Sequence, residues 1–159
     1  MRVRVTLSRP AYSYLIALNP NGTIQFCAPV GGIVPNSPRP ELDFPENLAD
    51  YFGLTDGVGL QAFVVVASDR SLPAYESWKT QVPSGLAWSP VDCEGFWTYD
   101  SAAPSDAARF RGKLRGDILR RESAPEALVN LCDRLRRSPG VTLVHAVAFP
   151  VKPDQDIMK

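Results

Sequence analysis

A single histidine, His145, serves this chain of 159 residues, so any Ser/His or Cys/His nucleophilic mechanism would have to use it. The three cysteines, Cys27, Cys93 and Cys132, are odd in number, lie far apart and form no CxxC pair. That pattern argues against a disulfide framework or a structural zinc site and points to a reducing, cytoplasmic setting. No segment reaches the ~18 apolar residues of a membrane span, and the opening MRVRVTLSRPAY lacks the apolar core of a signal peptide. Neither sign of charge is in excess. Lys and Arg number 17, as do Asp and Glu, so the overall field selects no polyanion and no membrane surface. A GxxxxGK[ST] loop is missing. The glycines at 53, 57 and 59 precede a strand, whereas a phosphate cradle opens onto a helix N-terminus. Asp154-Gln155-Asp156 begins like a calcium loop but lacks its glycine and closing glutamate. No metal and no cofactor is expected.

What is present describes a folded domain. Hydrophobic residues at 45% and charged residues at 21% are enough to form a core and too few charges for disorder. The chain reads as one domain over residues 1–150 with a flexible tail at 151–159. Its most informative stretch is 51–68, YFGLTDGVGLQAFVVVAS, a glycine-punctuated turn that runs into the longest apolar segment. Residues 62–67 carry no polar side chain and read as a strand covered on both faces.

Around that strand the pattern is mostly β. Val3, Val5 and Leu7 alternate with Arg2, Arg4 and Thr6, giving a half-buried strand with a basic outer face. Residues 12–19 form a second strand, Asn19-Pro20-Asn21-Gly22 a hairpin turn, and 23–28 the return strand. Five prolines between 29 and 50 make a long surface loop with one short edge strand near 42–44, either a cover for a sheet edge or a binding loop. Residues 71–82 read as a short helix and 95–100 as a strand. A helix is expected over 105–122, weakened by Gly112 and Gly116, and a better one over 125–137 with Leu128, Leu131, Cys132 and Leu135 on its apolar face. Residues 141–149 form a last apolar strand suited to insertion beside 61–67. The expected fold is α+β: a mostly antiparallel sheet or small β-sandwich of about six strands with two or three covering helices.

Three functional readings compete. The first is a protein-interaction or regulatory module using loop 29–50, the glycine turn with Tyr51 and Asp56, or a basic helical face. The second is a nucleic-acid or anion binder. Nine of the 17 cations fall between residues 109 and 137, including Arg109, Arg111, Arg115, Arg120, Arg121, Arg134 and Arg137, against four acidic residues there. Interleaved exposed aromatics are missing from that segment, and Arg109, Lys113, Arg120 and Arg134 sit off the apolar stripes, as solvated faces do. The third is an enzyme using His145 with Cys93 or Asp100. His145 lies in LVHAVAF on the parity of Leu143, Val147 and Phe149, where a histidine is ordinarily a sheet-face residue. Asp92 and Glu94 flank Cys93 and suppress its thiolate. The chain therefore reads as non-catalytic.

The order of elements over 11–72 resembles a bacterial domain of unknown function found C-terminal to serine/threonine protein kinases and caspase-like peptidases. The resemblance is carried by the aromatic strand AYSYLIALN, its Pro-Asn-Gly turn and the strand ending at Phe26-Cys27-Ala28-Pro29. The proline-rich loop with Phe44-Pro45 and the segment AFVVVASDRSLP complete it. It covers less than half the chain and implies a non-catalytic accessory domain. The implied partner is a protein, or a covalently linked kinase or peptidase domain of a signalling or defence enzyme.

Overall fold

A computed structural model of the chain describes residues 1–30, 37–47, 49–72, 93–94, 97–100, 113–114 and 124–152. Strands β1 (Val3–Leu18), β2 (Ile24–Ala28), β4 (Gly59–Ser68), β6 (Trp97–Asp100) and β8 (Val141–Val151) form one sheet in the order β2-β1-β4-β8-β6, and β3 (Arg39–Phe44) pairs with β1. Every pairing is antiparallel. Strands β5 (Cys93–Glu94) and β7 (Lys113–Leu114) make a separate two-stranded ladder. One helix, α1 (Ala124–Arg136), is present among the described residues. The fold is thus α+β and dominated by an antiparallel sheet.

Strand β4 is the centre. All ten of its residues are buried, and it lies between β1 (Phe63 opposite Ala17) and β8 (Phe63 opposite Val147). Its alternation divides the core in two. Leu60, Ala62, Val64 and Val66 join Tyr14, Ile16, Leu18, Val144, Ala146 and Ala148 under Leu128, Leu131, Cys132 and Leu135 of the helix. Phe63 and Val65 face the other way with Leu15, Ala17, Cys27, Ala28 and Leu42, and Val3, Val5, Phe44, Phe52, Leu54 and Phe149 pack around them. Each fully buried Val, Leu or Phe contributes about 1.5–3 kcal/mol, so these two layers are the main source of stability. The continuous apolar run and the apolar stripe of the helix are located as the sequence indicates, as is the placement of the last strand beside β4.

Two expectations need correction. Residues 3–7 and 12–19 are not separate strands but one strand, β1, running through Pro10. The ladder to β3 covers Val3 to Thr6 and resumes at Ala11 after a register shift, while the ladder to β4 begins at Tyr12. Pro10 therefore falls where neither neighbour requires its missing N–H. Secondly, Lys113 and Leu114, expected within a helix over 105–122, are extended and pair with Glu94 and Cys93. The glycines at 112 and 116 each cost a helix about 1 kcal/mol, and the pairing prevails over that weakened propensity. The rest of that segment, and all but Ser71 and Leu72 of the helix expected over 71–82, lie outside the described residues.

Other local features follow their sequence signals. Gly22 takes a left-handed φ of 85°, its N–H donates to Asn19 O at 2.9 Å, and Asn19 N–H donates to Thr23 O at 2.9 Å, closing the β1–β2 hairpin. The edge strand foreseen at 42–44 is longer, starting at Arg39. Helix α1 carries Glu126 in its first turn and Arg134 and Arg136 in its last, as the dipole favours. Strand β8 continues to Val151, opposite Gly59, one residue beyond the expected domain limit. No described helix is long and apolar enough to cross a membrane.

Candidate interaction surface

Segment 51–58 leads into β4, and its anchoring begins with Phe52. The ring of Phe52 packs against Phe44 (centroids 5.1 Å apart) and edge-on to Phe63 (5.8 Å), and Phe63 continues to Phe149 (6.2 Å). Its backbone is held as well. Phe52 N–H donates to Met1 O at 3.1 Å, and the Met1 ammonium donates to Phe52 O at 2.6 Å. Leu54 packs into the same cluster. Immediately before these anchors Tyr51 is turned outward, 74% exposed, with the Arg2 guanidinium 5.8 Å from its ring centroid. Val58, 52% exposed, closes the segment. Gly57 has a φ of 104°, a conformation that favours glycine.

Asp56 is tied to the hairpin turn, where it accepts from Asn21 Nδ2 at 3.4 Å. Asn21 Oδ1 in turn accepts from Thr23 N–H at 2.9 Å and Thr23 Oγ1 at 2.7 Å. Two of the residues singled out in the sequence, Tyr51 and Asp56, thus sit on one anchored segment. Sequence reading did not find Arg2 as the neighbour of Tyr51; its only signal was the basic parity of Arg2 and Arg4. Arg4 itself is engaged, with Nε 2.8 Å from Asp43 Oδ1, and that hydrogen bond and charge hold its guanidinium above its ordinary pKa.

The basic group is divided. Arg134 and Arg137 are exposed at the end of α1, where Arg137 N–H donates to Asp133 O at 3.3 Å and to Arg134 O at 3.2 Å. Gly140 follows at φ 91°, and a Cβ there would lie 2.7 Å from Arg70 Nε, which puts a further arginine at the same corner. Arg109, Arg111, Arg115, Arg120 and Arg121 lie outside the described residues.

His145 is half-buried on β8, opposite Val65 of β4 and Asp100 of β6. The register makes Asp100 its cross-strand partner, while Cys93 belongs to the separate β5–β7 ladder. Cys27 and Cys132 are buried free thiols. Desolvation pushes Cys27 up to about 11 and raises Cys132 further, so neither is a thiolate at neutral pH. Among the described residues no group of three His, Cys, Asp or Glu converges as a metal site would need.

Compared with protein-family models, curated proteins and solved structures, the chain matches none.

Proposed function

We propose that this domain is a non-catalytic interaction or regulatory module whose contact surface is centred on segment 51–58. The observation that carries the reading is the pairing of an anchored Phe52 with an outward Tyr51. An aromatic held on a fixed backbone gives contact area at little cost in conformational entropy, which is what a partner-binding residue needs. The resemblance over 11–72 makes the partner a signalling or defence enzyme of the kinase or caspase-like class in a bacterial cytoplasm. The finer architecture in this reading is a small sandwich with added covering helices. Support for it comes from Val3, Val5 and Phe44, which pack over the sheet face opposite α1.

The test is affinity capture from the source organism with wild type, Tyr51→Ala and Arg134→Ala as baits, followed by reconstitution with the purified partner. A kinase or peptidase held by wild type and Arg134→Ala but lost from Tyr51→Ala supports the reading. Identical capture by all three baits refutes it.

A second reading, anion or nucleic-acid binding, rests on the exposed Arg134, Arg136 and Arg137 with Arg70 beside Gly140. Three of these arginines already complement the helix dipole, which accounts for them without a ligand. Titration with a labelled oligonucleotide at several salt concentrations decides the matter, because phosphate contacts give a steep salt slope.

A further inference from the structure

Along β1 the ladder to β2 ends at the pair Leu15–Ala28, and the ladder to β3 begins at the pair Ala11–Arg39. A cavity of about 500 Å³ lies at this step. Ala11, Ala28, Pro29 and Leu42 give it apolar walls, and Ser13, only 8% exposed, belongs to the same lining. The Ser13 hydroxyl is buried and has no hydrogen-bond partner among the described residues. A buried hydroxyl without a partner is unfavourable and is relieved by a donor or acceptor brought to it. The outer lining is charged, with Glu41, Asp43 and Glu46 against Arg39. Asp43 is already neutralised by Arg4. Glu41 also lies within the field of Arg4, so three carboxylates stand against the two guanidinium groups of Arg4 and Arg39, an excess of negative charge beside the apolar walls.

We propose that this cavity receives a lysine side chain from an extended segment of a partner protein, an inference that rests on the reading of the domain as an interaction module. A lysine stem is four methylenes long and lies well on Ala, Pro and Leu, while its ammonium is a compact triple donor. The stem fills the apolar walls, the ammonium meets Glu41 and Glu46, and a donor from the seated segment relieves Ser13. The size suits a few residues of peptide and is typical of a ligand site.

The probe is an acetylated, amidated Ala-Val-Lys-Val-Ala peptide, titrated into the isotope-labelled full chain and followed by amide chemical shifts. Norleucine and glutamate versions of the peptide are the controls. Shifts concentrated at Ala11, Ser13, Ala28 and Leu42, with binding roughly tenfold weaker for norleucine and weaker still for glutamate, support the proposal. Glu41→Gln and Glu46→Gln, both at exposed positions, then each weaken the lysine peptide several-fold in a folded protein. Equal binding of the three peptides, shifts located elsewhere, or none at millimolar peptide would overturn it. These outcomes concern the cavity alone. Loss or retention of the partner in Tyr51→Ala concerns the module reading, so the two can fail separately.

Discussion

The phenolic oxygen of Tyr14 accepts a hydrogen bond from the backbone N–H of Leu72 at 2.8 Å, across 58 residues of sequence. Tyr14 is fully buried on β1, and Leu72 lies just beyond β4, so one side chain fixes where the chain leaves the sheet. Burial raises the hydroxyl's pKa, and the bonds to Leu72 and Ser71 partly offset that. Replacing Tyr14 by Phe keeps the ring and orphans a buried N–H, so Tyr14→Phe is expected to cost about 1–3 kcal/mol in urea unfolding. A loss under a few tenths of a kcal/mol would mean that Leu72 finds another acceptor.

Segment 51–58 separates anchoring from presentation. Phe52→Ala removes a ring packed on two others and is expected to cost toward the lower end of about 3–5 kcal/mol, because Phe52 is only half-buried. Tyr51→Ala should change stability by no more than about 0.5 kcal/mol. Thermal or urea unfolding of the two variants side by side checks this, and equal losses would remove the structural basis of the proposed contact surface.

Gly140 combines two constraints of different weight. Its φ of 91° costs a side-chain-bearing residue about 1–2 kcal/mol, whereas the nearby Arg70 Nε belongs to a flexible, exposed side chain that can move aside. Backbone strain should therefore dominate. Gly140→Ala is expected to lose about 1–2 kcal/mol, and the loss should persist in an Arg70→Ala background. Full recovery in the double variant would instead make the side-chain clash the cause.

The buried thiols predict an alkaline loss of stability. Cys27 titrates at about 11 in the folded state and in the ordinary range, about 8.5, when unfolded. The unfolded chain then holds fewer protons, so stability is full below about pH 8.5 and declines as pH rises toward 11. The slope is up to about 1.4 kcal/mol per pH unit for this thiol. Cys132, raised in the same direction by its own burial, adds to the decline. Unfolding free energies measured from neutral pH to about pH 10 should fall in wild type and fall less steeply in Cys27→Ala. Parallel slopes would show that the Cys27 thiol is not protected by burial.

The legible parts of this fold are those whose cause is local. Residues 62–67 announce a doubly covered strand because no polar side chain interrupts them, and Pro20 with Gly22 specifies its own turn. Leu128, Leu131, Cys132 and Leu135 mark the covered face of α1 by spacing alone. The continuity of β1 was hidden because Pro10 is normally a breaker, and only the offset between two neighbouring ladders makes it harmless. Lys113 and Leu114 carry a helical pattern that a non-local partner, Cys93–Glu94, overrides. Of the surface, Tyr51 and Asp56 could be named from their turn, but their neighbours Arg2 and Asn21 could not. The Ser13 cavity depends on where two separate strands stop along a third, and the register of Asp100 against His145 is equally non-local.

Because β4 takes β1 on one side and β8 on the other, its second flank is supplied by residues that follow it by more than seventy positions. A nascent chain that has left the ribosome only as far as Gly140 presents β4, a strand buried along its whole length in the finished fold, with an open hydrogen-bonding edge. Such an edge is a template for self-association. Synthesis must therefore pass Val141 before the sheet can be sealed. Premature termination just short of that point should yield aggregates, where a shorter domain would simply have been lost.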